Sequence, residues 1–286
     1  MKERDARAIL FSSVEGGVNY WTREIEELGA IEVVARARSD YYDILKHEKA
    51  ILKIKAANHQ EISDRIEESQ SQFLIPTDQY WPVGANELAC APIGLIVKGN
   101  ISVLSQPSLA VVGTRNPTNY GVRVAGEFAA GFVDRDWAVI SGGAYGIDAA
   151  AHKGALSAEG ITIAVLACGV DVNYPAGHVR LFAEICEVGA LISEVMPGIH
   201  AIPSRFLTRN RLIAAISSAT LVVEAAFRSG SLRTARDAAE LMRPVMAIPG
   251  PITSPTSEGC HRLIGERAAE IVTSVADALE FVSAPR

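Results

Sequence analysis

Cysteine is scarce in this chain, with four in 286 residues (Cys90, Cys168, Cys186 and Cys260). They form no CxxC pair, and neighbours lie at least 18 positions apart. That spacing excludes a zinc cluster and a disulfide frame, and agrees with reduced thiols in a cytoplasmic protein. Long apolar runs are missing as well. The longest, residues 161–170, is far short of the ~20 residues that span a bilayer. No hydrophobic signal core follows the opening Met-Lys-Glu-Arg-Asp, so neither membrane insertion nor secretion is expected. An excess of positive charge is also lacking. With 27 Lys and Arg against 33 Asp and Glu the net charge is −6, so any polyanion site must be a local concentration of basic residues. What is present is ordinary globular composition, 49% apolar and 21% charged, which excludes disorder along most of the length. A chain of this length makes one large or two modest domains, at ~150 residues each.

Proline is absent from the first 70 residues, which hold 11 Lys or Arg and 14 Asp or Glu. The spacing of Ile44, Leu45, Ala50, Ile51 and Ile54 suits an amphipathic helix, with Lys46, Lys49, Lys53 and Lys55 mainly toward solvent. A small helical domain is expected over residues 1–70. Residues 71–107 hold Pro76, Pro82, Pro92 and Pro107 and a short apolar run at 93–97, and read as a connecting segment with one strand. From residue 108 the pattern changes. Short β-rich runs at 109–113, 138–141, 162–166, 190–193, 220–224 and 245–248 alternate with stretches of helical pattern, and a last helix is expected over 274–282. Repeated β-α units give a doubly wound α/β domain over residues 108–286, its mostly parallel sheet covered on both faces. Ligands bind at the carboxyl edge of such sheets, so the residues after each strand carry the information.

Gly113-Thr114-Arg115-Asn116 follows the first of these strands. Its Gly permits a sharp turn, the following amides suit a phosphate, and Arg115 offers a planar fork. Arg115 stands where a dinucleotide fingerprint needs its second Gly, and no acid closes the second strand, so a nicotinamide enzyme is disfavoured. Ser141-Gly142-Gly143-Ala144-Tyr145-Gly146 makes a second amide-lined turn. Asp148 suits a helix first turn, and His152, one turn on, reads as a structural hydrogen-bonder. Between residues 204 and 243 lie Arg205, Arg209, Arg211, Arg228, Arg233, Arg236 and Arg243, against Glu224, Asp237 and Glu240. Seven positive minus three negative gives +4 in a chain that is −6. With Phe206 interleaved, this composition suits a single-strand platform. The bland alternative is a set of arginines paired with acids elsewhere in the chain. Ser229-Gly230-Ser231, with Thr234 one turn on, offers hydroxyls and amides at a further helix start.

The blocks Val112–Arg115, Ser141–Asp148, Ala151-His152, Leu166–Gly169 with Asp171, and Tyr174-Pro175 strongly resemble the DNA-processing protein A (DprA/Smf) family. So do Ser193-Glu194, Phe206–Ile213, Val223–Ala225, Ser229–Ala235 and Ile248–Gly250, in order and at the expected spacing over residues 93–269. The resemblance implies an extended Rossmann-like fold, binding of single-stranded DNA without strong sequence preference, and help in loading the RecA recombinase during natural transformation. It also implies a homodimer, and neither metal nor cofactor. In that family the Gly-Thr-Arg turn and the Arg-Asn-Arg helix start line the DNA groove. Arg115, Arg209 and Arg211 would then take phosphates, Phe206 would stack a base and Asn210 would order the loop. The sequence departs from the family pattern at Tyr145, where the family has Arg, and at Leu207, where it has Pro. The winged-helix domain that many members carry at the C-terminus is not expected after residue 286, and the N-terminal part resembles the family only loosely.

Two other readings stay open on the residues. One is an enzyme on the same kind of fold, such as the LOG-type phosphoribohydrolases. Their loop places an acid where Arg233 and Arg236 crowd the equivalent stretch here, and no nucleophile triad or metal-ligand spacing is visible. No catalysis is therefore expected. The other is a nucleotide-sensing or partner-binding module that kept the fold and lost DNA binding.

Overall fold

The computed structural model describes residues 1–39 and 41–284, without the side chains of Ile44 and Leu45. The apolar role expected for those two side chains, and the last two residues of the 108–286 segment, thus lie outside the described residues. Five helices come first: α1 (Glu3–Ser13), α2 (Asn19–Leu28), α3 (Ala30–Arg38), α4 (Ile44–Ala56) and α5 (His59–Glu68). Lys46, Lys49 and Lys53 are exposed on α4, while Ile51 and Ile54 are buried, as the amphipathic spacing requires.

The connecting segment supplies two strands rather than the expected one, β1 (Gln72–Leu74) and β2 (Leu95–Gly99). The three residues of β1 are too few for a periodic signal. Then follow β3 (Ser108–Val112), α6 (Asn119–Val133), β4 (Ala138–Ser141), α7 (Ile147–Ser157), β5 (Thr162–Leu166), α8 (Val179–Val188) and β6 (Ala190–Ser193). The chain continues through α9 (Pro203–Ile216), β7 (Ala219–Val222), α10 (Gly230–Glu240), β8 (Val245–Ala247), α11 (Glu258–Gly265), β9 (Glu270–Ile271) and α12 (Val275–Ser283). No helix among the described residues is long and apolar enough to cross a membrane.

The sheet runs β1-β2-β6-β5-β4-β3-β7-β8-β9, parallel from β6 to β9 with β1 and β2 antiparallel at one edge. From β3 the chain winds outward through β4, β5 and β6. It then returns by α9 to lay β7 on the other side of β3. The order therefore reverses between β3 and β7, which is the place where an open α/β sheet leaves a crevice outside its strand ends. Strand residues alternate between two faces. Leu109 and Val111 pack with Phe128 and Phe132 of α6, while Ala110 and Val112 pack with Leu212 of α9 and Leu232 of α10.

Among the described residues, the N-terminal helices share a buried cluster with the sheet. Ile9, Phe11, Trp21, Val34, Ile54 and Ile66 belong to one buried cluster with Ile96, Leu166, Phe182 and Leu191 of the sheet domain, and the rings of Phe11 and Phe73 lie 5.2 Å apart. Because the cluster is continuous, Ile54→Ala is expected to destabilise the whole chain by about 2–5 kcal/mol. The tryptophan fluorescence and far-UV circular dichroism transitions in denaturant should shift together. A separate early transition confined to the helical part would contradict the shared core.

Candidate functional site

A cavity of about 410 Å³ lies outside the carboxyl ends of the strands at the point of reversal. Gly113, Thr114 and Arg115 form one wall, Phe206, Arg209 and Asn210 of α9 another, and Ser229, Gly230, Ser231 and Thr234 at the start of α10 a third. Ten of the residues singled out in the sequence thus meet at one place. The α10 start is ordered by Ser229, whose hydroxyl accepts from the Ser231 amide at 3.2 Å, and by Asn210, whose Nδ2 donates to the Gly230 carbonyl at 3.2 Å. A helix N-terminus carries partial positive charge and favours an anion.

The floor is charged. Arg209 and Asp148 are 6% and 7% exposed and both line the cavity. Asp148 accepts from the amides of Gly142 (3.1 Å) and Ala144 (3.3 Å), which ties the turn after β4 to the first turn of α7. Burial pushes the Asp148 carboxyl above its ordinary range, against the opposing pull of Arg209. Burial likewise lowers the Arg209 guanidinium, while Asp148 supports its charge. Nε of Arg209 makes no hydrogen bond among the described residues. Gly142 is needed here because a Cβ would collide with Nη1 of Arg209. Gly146, at φ +87°, lets the same turn close against the Thr114 carbonyl. On the other flank Glu224, buried two residues past β7, accepts from the Thr118 amide and hydroxyl at 2.9 and 2.6 Å, fixing the start of α6.

Arg115 is exposed at the mouth, and its guanidinium carbon lies 5.0 Å from the centroid of the Phe206 ring. No carboxylate among the described residues pairs with it at salt-bridge distance.

The remaining sequence candidates lie outside the cavity lining. The Asn116 amide donates to the Thr114 hydroxyl at 3.2 Å. Ser141 is buried and donates to the Val111 carbonyl at 2.6 Å. Gly142 lies beneath Arg209, and the Gly143 carbonyl accepts from Nδ1 of His178 at 3.0 Å. Tyr145 stands beside the site, edge-on to His178. Arg211, expected to take phosphate, instead donates Nη2 to both oxygens of Glu194, whose side chain is 8% exposed, at 2.6 and 2.7 Å, and Nη1 to the Cys90 carbonyl. Arg205 donates Nε and Nη2 to Glu15 at 2.9 and 2.7 Å, and Nη1 to the His200 carbonyl. These two forks fasten the back of α9 to Glu194 and to the N-terminal region. Arg233, Arg236 and Arg243 pair with Asp237, Glu266 and Glu87. The partnered alternative therefore describes most of the arginine cluster. The supporting roles of Glu224 and His178 escaped the sequence reading, because each acts through a contact distant along the chain.

Residues 72–283 match the family model described as DNA recombination-mediator protein A. The chain belongs to that family. A Mycobacterium tuberculosis relative carrying the DprA name is 48% identical over 224 residues, covering 74% of this chain and 57% of its own. The DNA processing protein DprA of Streptococcus pneumoniae is 41% identical over 202 residues, 71% of each chain. A crystal structure of DprA from Streptococcus pneumoniae superposes with a TM-score of 0.84 at 30% identity, covering 98% of this chain and 97% of that one. The DNA processing protein A of Helicobacter pylori, described for its single-stranded DNA binding mode, superposes with a TM-score of 0.67 at 28% identity, over 74% of this chain and 96% of that one. The chain spans 57% of the length of its mycobacterial relative. The extended Rossmann-like sheet expected from the resemblance is thus the fold of this family member.

His152 holds the sheet beneath the site. It is fully buried, and its Nδ1 lies 2.7 Å from the Thr162 hydroxyl, which donates to the Val139 carbonyl at 2.8 Å. Thr162 therefore accepts from Nδ1–H, and burial, with His178 and Arg209 nearby, drops the imidazole to about 3. An unfolded histidine titrates near ~6.5, so the unfolded chain binds the extra proton at intermediate pH. The contribution is present above ~6.5 and is lost as pH falls toward about 3. Unfolding in denaturant should show about 2 kcal/mol more loss between about pH 7.5 and about pH 5 for the unaltered chain than for His152→Gln. Equal losses would contradict a buried neutral imidazole.

Proposed function

We propose that this chain binds single-stranded DNA at the strand-order reversal and acts as a recombination mediator, shielding incoming strands and helping to load RecA. The observation that carries this reading is Arg115. An exposed guanidinium with no carboxylate partner among the described residues lies over an aromatic ring at the mouth of a cavity floored by a second, buried guanidinium. A planar fork meets a phosphate bidentately, the α10 amides and hydroxyls continue the anion seat, and the Phe206 ring offers a face that any base can stack on. The set selects for backbone charge and unpaired bases rather than sequence, as expected for a mediator that must accept any strand. The Helicobacter pylori relative, with a single-stranded DNA binding mode of its own, supports the assignment. Arg209 and Asn210 complete the contact set, with Gly113, Thr114, Ser229, Gly230, Ser231 and Thr234 as the cradle. Arg205 and Arg211 hold α9 in place.

The same geometry favours binding over catalysis. The carboxylate that a phosphoribohydrolase reading would use, Asp237, is buried and accepts from Nε of Arg233 at 2.6 Å. We further propose that the protein works in the cytoplasm as a homodimer, as the family resemblance implies.

Fluorescence anisotropy with a labelled oligo-dT tests this. Affinity should fall steeply as salt rises from about 50 to about 200 mM, and the single strand should be preferred over the duplex. Arg115→Ala should weaken binding to any sequence and flatten the slope of log affinity against log salt by about 0.7, the value for one lost phosphate contact on a single strand. Binding insensitive to salt, or an unchanged slope in Arg115→Ala, would overturn the assignment.

A further inference from the structure

Beyond the cavity, the same edge of the molecule carries two large rings to which the phosphate contacts assign no part. Tyr145, in the turn between β4 and α7, is 51% exposed, and Tyr174, in the loop after β5, is 47% exposed. Neither hydroxyl makes a hydrogen bond among the described residues.

Both rings are nonetheless held in place. Tyr145 stands edge-on to His178, with centroids 4.6 Å apart and planes at 74°. His178 is itself buried and pinned by its bond to the Gly143 carbonyl. The Tyr145 hydroxyl also lies against Gly177, where a Cβ would come within 2.6 Å of it. Tyr174 sits 5.6 Å from Phe206, tilted by 59°, and Phe206 carries Arg115 on its ring. A single segment, residues 174–178, thus presents Tyr174 toward Phe206 and braces Tyr145 through Gly177 and His178. Scattered exposed aromatics need no explanation. Here, two half-exposed rings held by neighbouring side chains stand at the same strand-end edge as Phe206, and Tyr174 lies against that ring.

We infer that Tyr174 and Tyr145 extend Phe206 into a stacking rail for the unpaired bases of a strand whose phosphates are held at the cavity. This rests on the proposed single-strand binding. It adds a base-contact path on which bases lie against rings without edge readout, so the rail is indifferent to sequence. Stacking releases no counterions. Loss of a ring therefore weakens binding without altering the salt slope, whereas loss of a phosphate contact alters both.

The test uses the full chain with Tyr145→Ala, Tyr174→Ala and Tyr145→Phe. Anisotropy is read on labelled oligo-dT and on an abasic oligonucleotide of equal length, across a salt series. Each alanine variant should lose about 5-fold or more in affinity for oligo-dT, keep the salt slope of the unaltered chain, and bind the abasic strand as the unaltered chain does. Tyr145→Phe, which keeps the ring, should retain affinity. Salt-sensitive binding by the unaltered chain with no loss in the alanine variants would overturn the rail and leave the proposed function standing. Equal losses on both oligonucleotides would also overturn it, since the effect would then lie outside base contact. No binding by the unaltered chain would overturn both.

Discussion

Arg209 lies buried where the parallel sheet reverses its strand order, and a buried guanidinium must have a counter-charge and room for its planar head. Much of the surrounding turn geometry serves that requirement. Asp148 supplies the negative charge and is held by two backbone amides of the loop it faces. Gly142 leaves space for the guanidinium, and Gly146 lets the loop close against the Gly113–Arg115 turn. Those conditions bring the ends of β3 and β4 and the start of α9 within reach of one phosphate-sized ligand. The small residues opening α10 complete the enclosure.

α9 is the element on which the two parts of the chain meet. One side carries Phe206, Arg209 and Asn210 into the cavity, and the other is fastened by Arg205 to Glu15 and by Arg211 to Glu194. Burial raises the Glu194 carboxyl above its usual range, with Arg211 opposing. Removing either partner would leave an uncompensated charge in the interior, which is strongly destabilising. Glu15, by contrast, is lowered by its hydrogen bond to Arg205, and Arg205 is raised by the same bond, so this more exposed contact favours both ionised forms. The N-terminal helices, which share a core with α8 and the β5–β6 side of the sheet, thereby set the position of a helix that lines the site.

The core strands were legible because continuous β-rich runs buried on both faces leave little ambiguity. β4, β5 and β6 have the expected bounds, and β3, β7 and β8 differ by one or two residues at their ends. The glycine turns and the helix start at Ser229 were legible from local chemistry. The fate of the arginines was not. Their local excess of positive charge is real, but the acids that answer it, Glu15, Glu87, Glu194 and Glu266, lie outside the window in which the excess was counted. Long-range pairing leaves no periodic trace, so Arg115, outside the cluster, is an exposed cation at the mouth while Arg211, inside it, is a structural tie. The same limit hid β1, which is strand only because β2 lies beside it.

The most direct measurement at the centre of the site is the affinity of Arg209→Gln for a labelled oligo-dT at low salt, with far-UV circular dichroism confirming the fold. A phosphate seated over the cavity floor predicts at least a tenfold loss, on the order of 1.4 kcal/mol, for single-stranded DNA of any sequence. Unchanged affinity in a folded Arg209→Gln would contradict a phosphate seat at the strand-order reversal and place the DNA elsewhere on the molecule.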